Sequence, residues 1–161
     1  MKYCLWESCR QCTKDAVDQN TFEFVILSDG AKVPRKATLG STGFDVYSPR
    51  EVTIHAQKTM KVPLDLSISP PEGTYTRTAA RSSLATRHQV ICPADVIDPD
   101  YTGCIHMCLT NLSDRDYTVQ KHQKIGSPVF EHYCNRPRGK MTKSLKGTQR
   151  GSNGFGSSGK F

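Results

Sequence analysis

The stretch MKVPLDLSISPPEGTYTRTAARSSLATRH, residues 60–88, decides the fold class. MKVPLDLSI and TYTRTA are strand candidates, and the prolines and glycine between them mark a turn. RSSLATRH, Arg81 to His88, gives the only plausible helix of the chain, of about two turns. Two strand candidates and a very short helix within one stretch favour a fold built from β-structure.

The same pattern continues on both sides of this stretch. TFEFVILSDG predicts a strand from Thr21 to Leu27, which a turn at Asp29 and Gly30 closes. Further strand candidates are GFDVYS and EVTIHA on the N-terminal side, and HQVIC, CIHMCLTNL, DYTVQ and KIGSPVFEHYC on the C-terminal side. Short strands with turn signals roughly every 8 to 12 residues are typical of all-β folds. We expect a jelly roll or distorted β-barrel of many short strands with one short helix.

The chain of 161 residues is expected to form one domain with short arms. Residues 1–20 form an N-terminal extension with no assignment, and residues 21–134 form the β domain. The apolar content then falls, so we expect residues 135–161 to form a flexible C-terminal arm.

The positive charge is concentrated in this arm. The chain carries 22 basic and 15 acidic residues, and seven basic residues but no acid follow Glu131. Residues 1–131 therefore balance at 15 against 15, and the whole formal charge of +7 lies in the last thirty residues. A basic tail can simply be solvated, or it can be a mobile arm that binds phosphate. Nucleic acid and a nucleotide triphosphate are both open as its ligand at this point.

Composition disfavours several other classes of protein. No run of about 18 apolar residues predicts a membrane span, and the N-terminus MKYCLWESCRQC lacks the apolar region of a signal peptide. Cys4, Cys9 and Cys12 cluster, but no second ligand pair follows at zinc-finger spacing. Seven irregularly spaced cysteines favour reduced thiols in an intracellular protein of the cytoplasm or nucleus.

VIDPDYTG, residues 96–103, is the first stretch that could carry chemistry. It is either an ordinary hairpin turn, with Asp and Pro opening it and Gly closing it, or part of an active site. In the second interpretation Asp98, at the end of a buried strand, takes a proton from water. Tyr101 then forms a flat wall beside a ligand.

Two further stretches have the same two interpretations. STGFDVYS, residues 41–48, is either a loop-to-strand junction or a site at which Asp45 binds Mg²⁺ directly or through water. Gly43 within it permits close backbone approach. RTAARSSLA is either a helix start capped by Ser or an anion site where Arg81 and Ser82 donate to phosphate.

The arm contains GFGSSGK, residues 154–160, which matches the first seven positions of a phosphate loop. The next residue is Phe161 rather than Ser or Thr, and neither the preceding strand nor the following helix is available, so we reject that motif. Backbone amides of Gly and Ser can still wrap phosphate oxygens. Arg150 can add charge-assisted hydrogen bonds, and Phe155 can stack on a flat ring. A disordered tail is the alternative.

Together these residues suit hydrolysis of a magnesium nucleotide, and in this order they resemble the trimeric dUTP pyrophosphatase (dUTPase) family. TGFDVYS, ARSSLA, ADVIDPDYTG, HQKIGSPVF and RGSNGFGSSG resemble its first to fifth signatures, the fourth in a worn form. The resemblance covers residues 21–159 and leaves residues 1–20 unassigned.

The resemblance implies a β jelly-roll homotrimer that cleaves dUTP to dUMP and pyrophosphate with Mg²⁺. Its three active sites lie at subunit boundaries, and the arm of one subunit closes over a site built by the others. By this resemblance Asp98 deprotonates the attacking water, Tyr101 packs on the deoxyribose and excludes a 2′-hydroxyl, and Asp45 holds the metal through water. The implied substrate-binding residues are Arg81, Ser82, Ser83 and Ser127 in the domain, and Arg150, Phe155, Gly156, Ser157 and Ser158 in the arm.

Several residues depart from the family pattern. Ser83 replaces the usual glycine of the second signature, and Pro93 and Asp95 replace glycines in the hairpin that is implied to bind uracil through backbone groups. Pro93 offers no N–H to the base. In the fourth signature Ser127 stands where a phosphate-contacting Gln is usual, and Pro128 is expected to interrupt its strand. We still expect an active enzyme, because the implied base, metal carboxylate and clamp are all present.

Three alternatives follow from the same sequence. The worn fourth signature favours a non-catalytic trimer of this fold that acts as a protein-interaction or signalling adapter. Nucleic-acid binding by the basic tail is unlikely, because the tail lacks a recognisable binding module. A deaminase on a related scaffold is disfavoured, because we find no convincing additional catalytic carboxylate or zinc signature for it.

Overall fold

The computed structural model describes residues 21–134, 136–154 and 157. The N-terminal extension and its cysteines, Cys4, Cys9 and Cys12, lie outside the described residues, as do Phe155, Gly156 and Ser158 of the arm. None of the described residues forms a helix with the length and apolar character that a membrane crossing needs.

The described residues form eleven strands and one helix, which confirms the predicted all-β fold with a single short helix. The strands are β1 Glu23–Ile26, β2 Val46–Tyr47, β3 Val52–Ile54, β4 Thr59–Pro63, β5 Leu66–Ser69, β6 Thr74–Ala80, β7 Val90–Ala94, β8 Val96–Ile97, β9 His106–Asn111, β10 Tyr117–Val119 and β11 Lys124–His132; the helix is α1 Ser82–His88. Helix α1 ends at Gln89, whose left-handed backbone (φ 56°) lets its amide donate to the Ala85 carbonyl.

The strands pair antiparallel in four sheets. The largest has the order β2-β11-β6-β8, and a three-stranded sheet has the order β4-β9-β7. Two pairs, β1 with β5 and β3 with β10, complete the fold. Strand β6 connects three of the four strands of the largest sheet, because it pairs with β11 along its whole length and with β8 near its start.

The core lies between the inward faces of these sheets. Strands β6 and β9 bury every second residue, as strands with one solvated face do. Asn111 is the one fully buried amide of this described core, and its side chain donates to the carbonyls of Ile54 (3.0 Å) and Arg115 (2.7 Å). The buried hydrophobic side chains are those of Val46, Ile54, Val62, Leu64, Leu66, Ile68, Leu84, Val90, Ile105, Met107, Leu109, Val119 and Ile125.

The prediction of one strand over MKVPLDLSI is wrong. Strand β4 ends at Pro63 and β5 begins at Leu66, because the chain leaves β9 and pairs with β1 instead. Asp65 makes this change of partner with a left-handed backbone (φ 52°). Its carboxylate accepts hydrogen bonds from the Ser28 hydroxyl (2.7 Å) and from Arg50 (2.7 Å), which stabilise the bend.

The prediction that Pro128 interrupts its strand is also wrong, since β11 is continuous. Pro128 lies opposite Thr78, and the Thr78 amide donates away from β11, to the Asp95 carbonyl. The backbone groups of Pro128 therefore face the other edge of β11, where its carbonyl accepts from Phe44. The missing N–H removes no donor from the β6–β11 ladder, which is why a proline is tolerated there.

Two glycines permit the close packing around β11. A Cβ on Gly43 would lie 2.7 Å from the Ser127 Cβ and 2.9 Å from the Pro128 carbonyl oxygen, which confirms the expected close backbone approach. A Cβ on Gly126 would lie 2.5 Å from the Ala79 carbonyl oxygen and 2.5 Å from the Met107 methyl. The β6–β11 pairing therefore requires the absence of a side chain at Gly126, and the packing of the Gly43 segment on β11 requires it at Gly43.

We expect Gly126→Ala to lower the free energy of unfolding by about 1–3 kcal/mol, because the new methyl meets a backbone oxygen that cannot move without breaking the ladder. Gly40→Ala is the matched control, because a Cβ there meets nothing within 4 Å. Urea unfolding at equal protein concentration measures both. Equal stability of the two variants would show that the sheet relaxes around position 126.

Candidate active site

A cavity of about 510 Å³ opens beside the turn that follows β8. Its walls come from the end of β7, from β8, from the turn between β8 and β9, and from the start of β9. The lining residues are Pro93, Ala94, Asp95, Val96, Ile97, Asp98, Tyr101, Cys104, Ile105, His106 and Cys108. A cavity of this volume with a few polar side chains is typical of small-molecule sites.

Asp98 lies on this wall at the first position of a β-turn. The Tyr101 amide donates to the Asp98 carbonyl (3.1 Å), and Pro99 occupies the second position, which suits its fixed φ. The expectation that a buried strand leads to Asp98 is wrong, because β8 has only two residues and the Val96 side chain is 63% exposed. The turn presents an exposed carboxylate to the cavity, where it can accept a hydrogen bond from water.

The Tyr101 ring forms part of the same wall. Its hydroxyl donates to the Cys104 carbonyl (3.0 Å), which holds the ring against the turn. A Cβ on Gly103 would lie 2.5 Å from the Tyr101 hydroxyl oxygen and 2.7 Å from its ring carbon. Gly103 therefore allows the ring to take this position.

A second group of predicted residues lies at the start of α1 and on the neighbouring β11. Arg81 is the N-cap residue, and its amide donates to the Ile125 carbonyl (3.2 Å). The alternative in which a Ser side chain caps the helix is wrong, because no side chain donates or accepts a capping hydrogen bond at its start. Ser82 is exposed and Ser83 half-buried in the first turn, and Ser127 lies opposite Ala79 on β11.

Asp45 belongs to this second group. Its Oδ2 lies 2.6 Å from Lys124 Nζ, and its side chain is 14% exposed. The hydrogen bond to Asp45 raises the pKa of Lys124, while the positive charge of Arg81 acts in the opposite direction. The described residues contain no cluster of three or more His, Cys, Asp or Glu side chains that could hold a metal. A cation at Asp45 therefore needs further ligands that are not described carboxylate, His or Cys side chains of this chain.

The two groups lie at opposite ends of β6. Ile97, next to Asp98, is paired with Thr76 near the start of the strand, whereas Arg81 directly follows its last residue. Five residues of strand at about 3.3 Å each put these ends roughly 17 Å apart. One chain therefore does not bring Asp98 and Arg81 to the same phosphate group.

The arm residues that the structure describes lie apart from the cavity lining. Residues 136–154 are almost all exposed and contain no helix or strand. Arg150 Nε donates to the Asn153 carbonyl (2.9 Å), and the intervening Gly151 has φ 55°. Ser157 is exposed, and its amide donates to the Gly154 carbonyl. The predicted roles of Phe155, Gly156 and Ser158 lie outside the described residues.

Sequence reasoning missed His106, which lies on the cavity wall. Its Nδ1 is 2.9 Å from the Cys104 carbonyl oxygen, so this nitrogen carries a hydrogen and donates the hydrogen bond to that carbonyl. The signal was present in CIHMCLTNL: Met107 and Leu109 are buried, and strand alternation puts His106 and Cys108 on the opposite face.

A network on the outer face of β6 and β11 was also missed. Glu131 accepts hydrogen bonds from Arg77 Nε (2.8 Å) and from the Tyr75 hydroxyl (2.6 Å). The hydrogen bond from Arg77 and then that from Tyr75 lower the pKa of Glu131, and the same contact with Glu131 raises the pKa of Tyr75. Arg77 Nη1 also lies 3.9 Å from Asp95 Oδ2, which connects this network to the cavity wall.

We expect Glu131→Gln to lower the free energy of unfolding at neutral pH. Because folding lowers the pKa of Glu131, its stabilising contribution is fully present above its ordinary value of 4.5 and is lost as the pH falls through the folded value. The gap between wild type and variant should therefore close in acid, as measured by urea unfolding across pH. Glu72→Gln removes an exposed carboxylate and is the control; a gap that persists in acid would contradict the ionic explanation.

The sequence of this chain is similar to those of known proteins. The family model described as dUTPase matches residues 29–159. The "Probable deoxyuridine 5'-triphosphate nucleotidohydrolase" of Schizosaccharomyces pombe is 40% identical over 133 residues, which are 83% of this chain and 94% of that protein.

Solved structures show the same fold. A Staphylococcus bacteriophage 80alpha dUTPase with dUPNHPP superposes with a TM-score of 0.80 at 23% identity, covering 87% of this chain and 99% of that one. A mutant dUTPase from phage phi11 of S. aureus, described with a structural Mg(II) ion, has a TM-score of 0.71 at 21% identity and covers 80% and 100%. These likenesses confirm the predicted jelly roll. The family match and the sequence relative show that the chain belongs to the dUTPase family.

Proposed function

We propose that this protein hydrolyses dUTP to dUMP and pyrophosphate, with Asp98 activating the attacking water. The observation that carries the proposal is the cavity in which the Asp98 carboxylate and the Tyr101 ring share one wall, in a chain of the dUTPase family. A nucleoside has the size and the mixed apolar and polar surface that such a cavity suits.

Asp98 acts as the general base in this mechanism. Its exposed carboxylate accepts a proton from water while the water oxygen bonds to the α-phosphorus. The bond from that phosphorus to the bridging oxygen breaks, and pyrophosphate leaves. The turn from Asp98 to Tyr101 fixes the carboxylate relative to the sugar, because one hydrogen bond and Pro99 hold it.

Tyr101 selects the sugar. Its ring packs against the deoxyribose, and the hydrogen bond of its hydroxyl to the Cys104 carbonyl keeps the ring in place. A ribose would bring its 2′-hydroxyl against this ring, so UTP is a poorer substrate than dUTP. Gly103 supports the same selection, since any side chain there would displace the ring.

The triphosphate is bound by the second group of residues and by the arm. Arg81, Ser82, Ser83 and Ser127 donate to phosphate oxygens in this proposal. In the arm, Arg150 binds the terminal phosphate, Phe155 covers the base, and Gly156, Ser157 and Ser158 wrap the phosphates.

Mg²⁺ is the proposed cofactor, held by Asp45 through water. A single carboxylate supplemented by substrate phosphates and water is a donor set that Mg²⁺ commonly takes, so Asp45 fits this metal. Lys124 keeps the Asp45 carboxylate oriented through its hydrogen bond. When bound, Mg²⁺ neutralises charge on the triphosphate and restricts its geometry.

The active assembly is proposed to be a homotrimer whose sites are shared between subunits. The separation of Asp98 and Arg81 by about 17 Å along β6 supports this, since one nucleotide would need Asp98 of one chain and Arg81 of another. The arm then closes over the site of a neighbouring subunit. The four described cysteines Cys92, Cys104, Cys108 and Cys134 are free thiols, which supports a location in the cytoplasm or nucleus.

We expect Asp98→Asn to lower kcat by roughly 10²- to 10⁴-fold with little change in nucleotide affinity, because the amide keeps the shape but cannot take the proton. Asp100→Asn, in the same exposed turn, is the control and should keep most of the activity. Release of pyrophosphate from dUTP measures kcat, and titration with a non-hydrolysable analogue measures affinity. Turnover of Asp98→Asn within a few-fold of wild type would remove Asp98 from this role.

Mixed trimers of Asp98→Asn and Arg81→Ala chains test the shared site. Neither homotrimer should be active, because every site lacks one of the two groups. Random co-assembly should restore about a quarter of the sites, those in which an Arg81→Ala chain supplies Asp98 and its neighbour supplies Arg81. Co-expression of the two chains with different affinity tags provides the mixture, and dUTP turnover provides the readout. No recovery in verified mixed trimers would place both residues of a site on one chain.

A further inference from the structure

We propose that the cavity beside Asp98 binds a base that carries an exocyclic amino group, so that dCTP is a second substrate of this protein. This inference rests on the proposed hydrolysis at the same site, and it adds a base selectivity to it. The residues that carry it are Pro93, Asp95 and His106, all of which line the cavity.

Asp95 places an acceptor on the cavity wall. An ionised carboxylate has two oxygens that accept hydrogen bonds and no donor. The charged Arg77 is 3.9 Å from Asp95 Oδ2, which is too long for a hydrogen bond, so the carboxylate keeps its capacity to accept from a ligand. The side chain is one-third exposed, and the Thr78 amide fixes its backbone through the Asp95 carbonyl (2.7 Å).

His106 adds a second acceptor. Because its Nδ1 donates to the Cys104 carbonyl, the neutral imidazole has its lone pair on Nε2. Pro93 also lines the cavity, and its backbone nitrogen has no hydrogen, so it cannot donate a hydrogen bond to a carbonyl of the base. The three residues therefore make this part of the cavity rich in acceptors and poor in donors.

The two pyrimidines differ in what they ask of such a wall. The pairing edge of uracil carries two carbonyl oxygens around one N–H, so it offers one hydrogen to an acceptor. Cytosine has an amino group with two hydrogens at C4 and no hydrogen at N3, so it offers two hydrogens, both at C4. A carboxylate is the side chain that accepts from that amino group. An acceptor at Asp95 is complementary to cytosine and repels the corresponding carbonyl of uracil and thymine.

Simple loosening of the cavity is the rival explanation for any turnover of dCTP. Thymine distinguishes a loosened cavity from recognition of the amino group, because it has the pairing edge of uracil but is bulkier by one methyl group. A loosened cavity would admit dTTP together with dCTP, whereas reading of the amino group admits dCTP alone.

The test compares kcat/KM for dCTP, dUTP and dTTP in the full chain and in Asp95→Asn. The asparagine has the same shape but gains an N–H₂ donor for the uracil carbonyl. We expect the dCTP-to-dUTP ratio to fall by about tenfold or more in Asp95→Asn. Asp114→Asn removes another exposed carboxylate, outside the cavity lining, and should leave the ratio unchanged.

A ratio that is the same in wild type and Asp95→Asn overturns the proposal, and so does turnover of dTTP that equals that of dCTP. Binding of dCMP and dUMP by calorimetry provides a readout that does not depend on catalysis. If neither triphosphate is hydrolysed, the proposed function fails, and the preference between the two monophosphates still decides the inference. Tighter binding of dUMP than dCMP by both proteins would overturn it.

Discussion

The pairing of β6 with β11 is the constraint on which the rest of the structure depends. Seven residue pairs, from Gly126 with Ala80 to His132 with Thr74, fix one register for the largest sheet. A one-residue slip would turn Thr74, Thr76 and Thr78 out of the core, so the register is strongly specified. The close approach at Gly126 permits this pairing, and the Glu131 network connects the outer faces of the two strands.

This register also decides where the chemistry lies. Because β8 pairs only with the first part of β6, the turn with Asp98 is held at one end of that strand. Helix α1 begins directly after the other end, so Arg81 is held there next to Ile125 of β11. A rigid strand between the two groups prevents either from moving to the other. The proposed sharing of a site between subunits would let both act on one nucleotide.

Much of the fold could be predicted because its causes are local in sequence. Short runs rich in Val, Ile, Thr and Tyr, separated by turn signals at Gly, Pro and Ser, predicted the strands, and the short helix was predicted within one residue of its observed start at Ser82. The break between β4 and β5 could not be predicted, because it depends on a change of partner and on contacts of Asp65 with residues distant in sequence. Pro128 was misjudged for the same reason: its effect depends on which edge of β11 its nitrogen faces.

The candidate site also combines residues that are close in sequence with residues that only the fold brings together. Asp98 and Tyr101 are neighbours within one turn, so their closeness follows from their sequence spacing. His106 and Asp95 reach the same cavity only through the pairing of β7 with β9 and of β8 with β6, and a single sequence does not reveal that juxtaposition.

The turn that carries Asp98 and the segment that carries Pro93 and Asp95 are separate parts of the cavity wall, so each can change without the other. The proposed general base, Asp98, lies in one turn with its own hydrogen bond and its own proline, and neither contact involves residues 93–95. Pro93 and Asp95 line the same cavity from the segment between β7 and β8. Under the proposed mechanism, substitutions at these two positions can alter which base is bound while Asp98 keeps its position. For this reason, departures from the family pattern at Pro93 and Asp95 are better explained as a change of base selectivity than as a loss of catalysis.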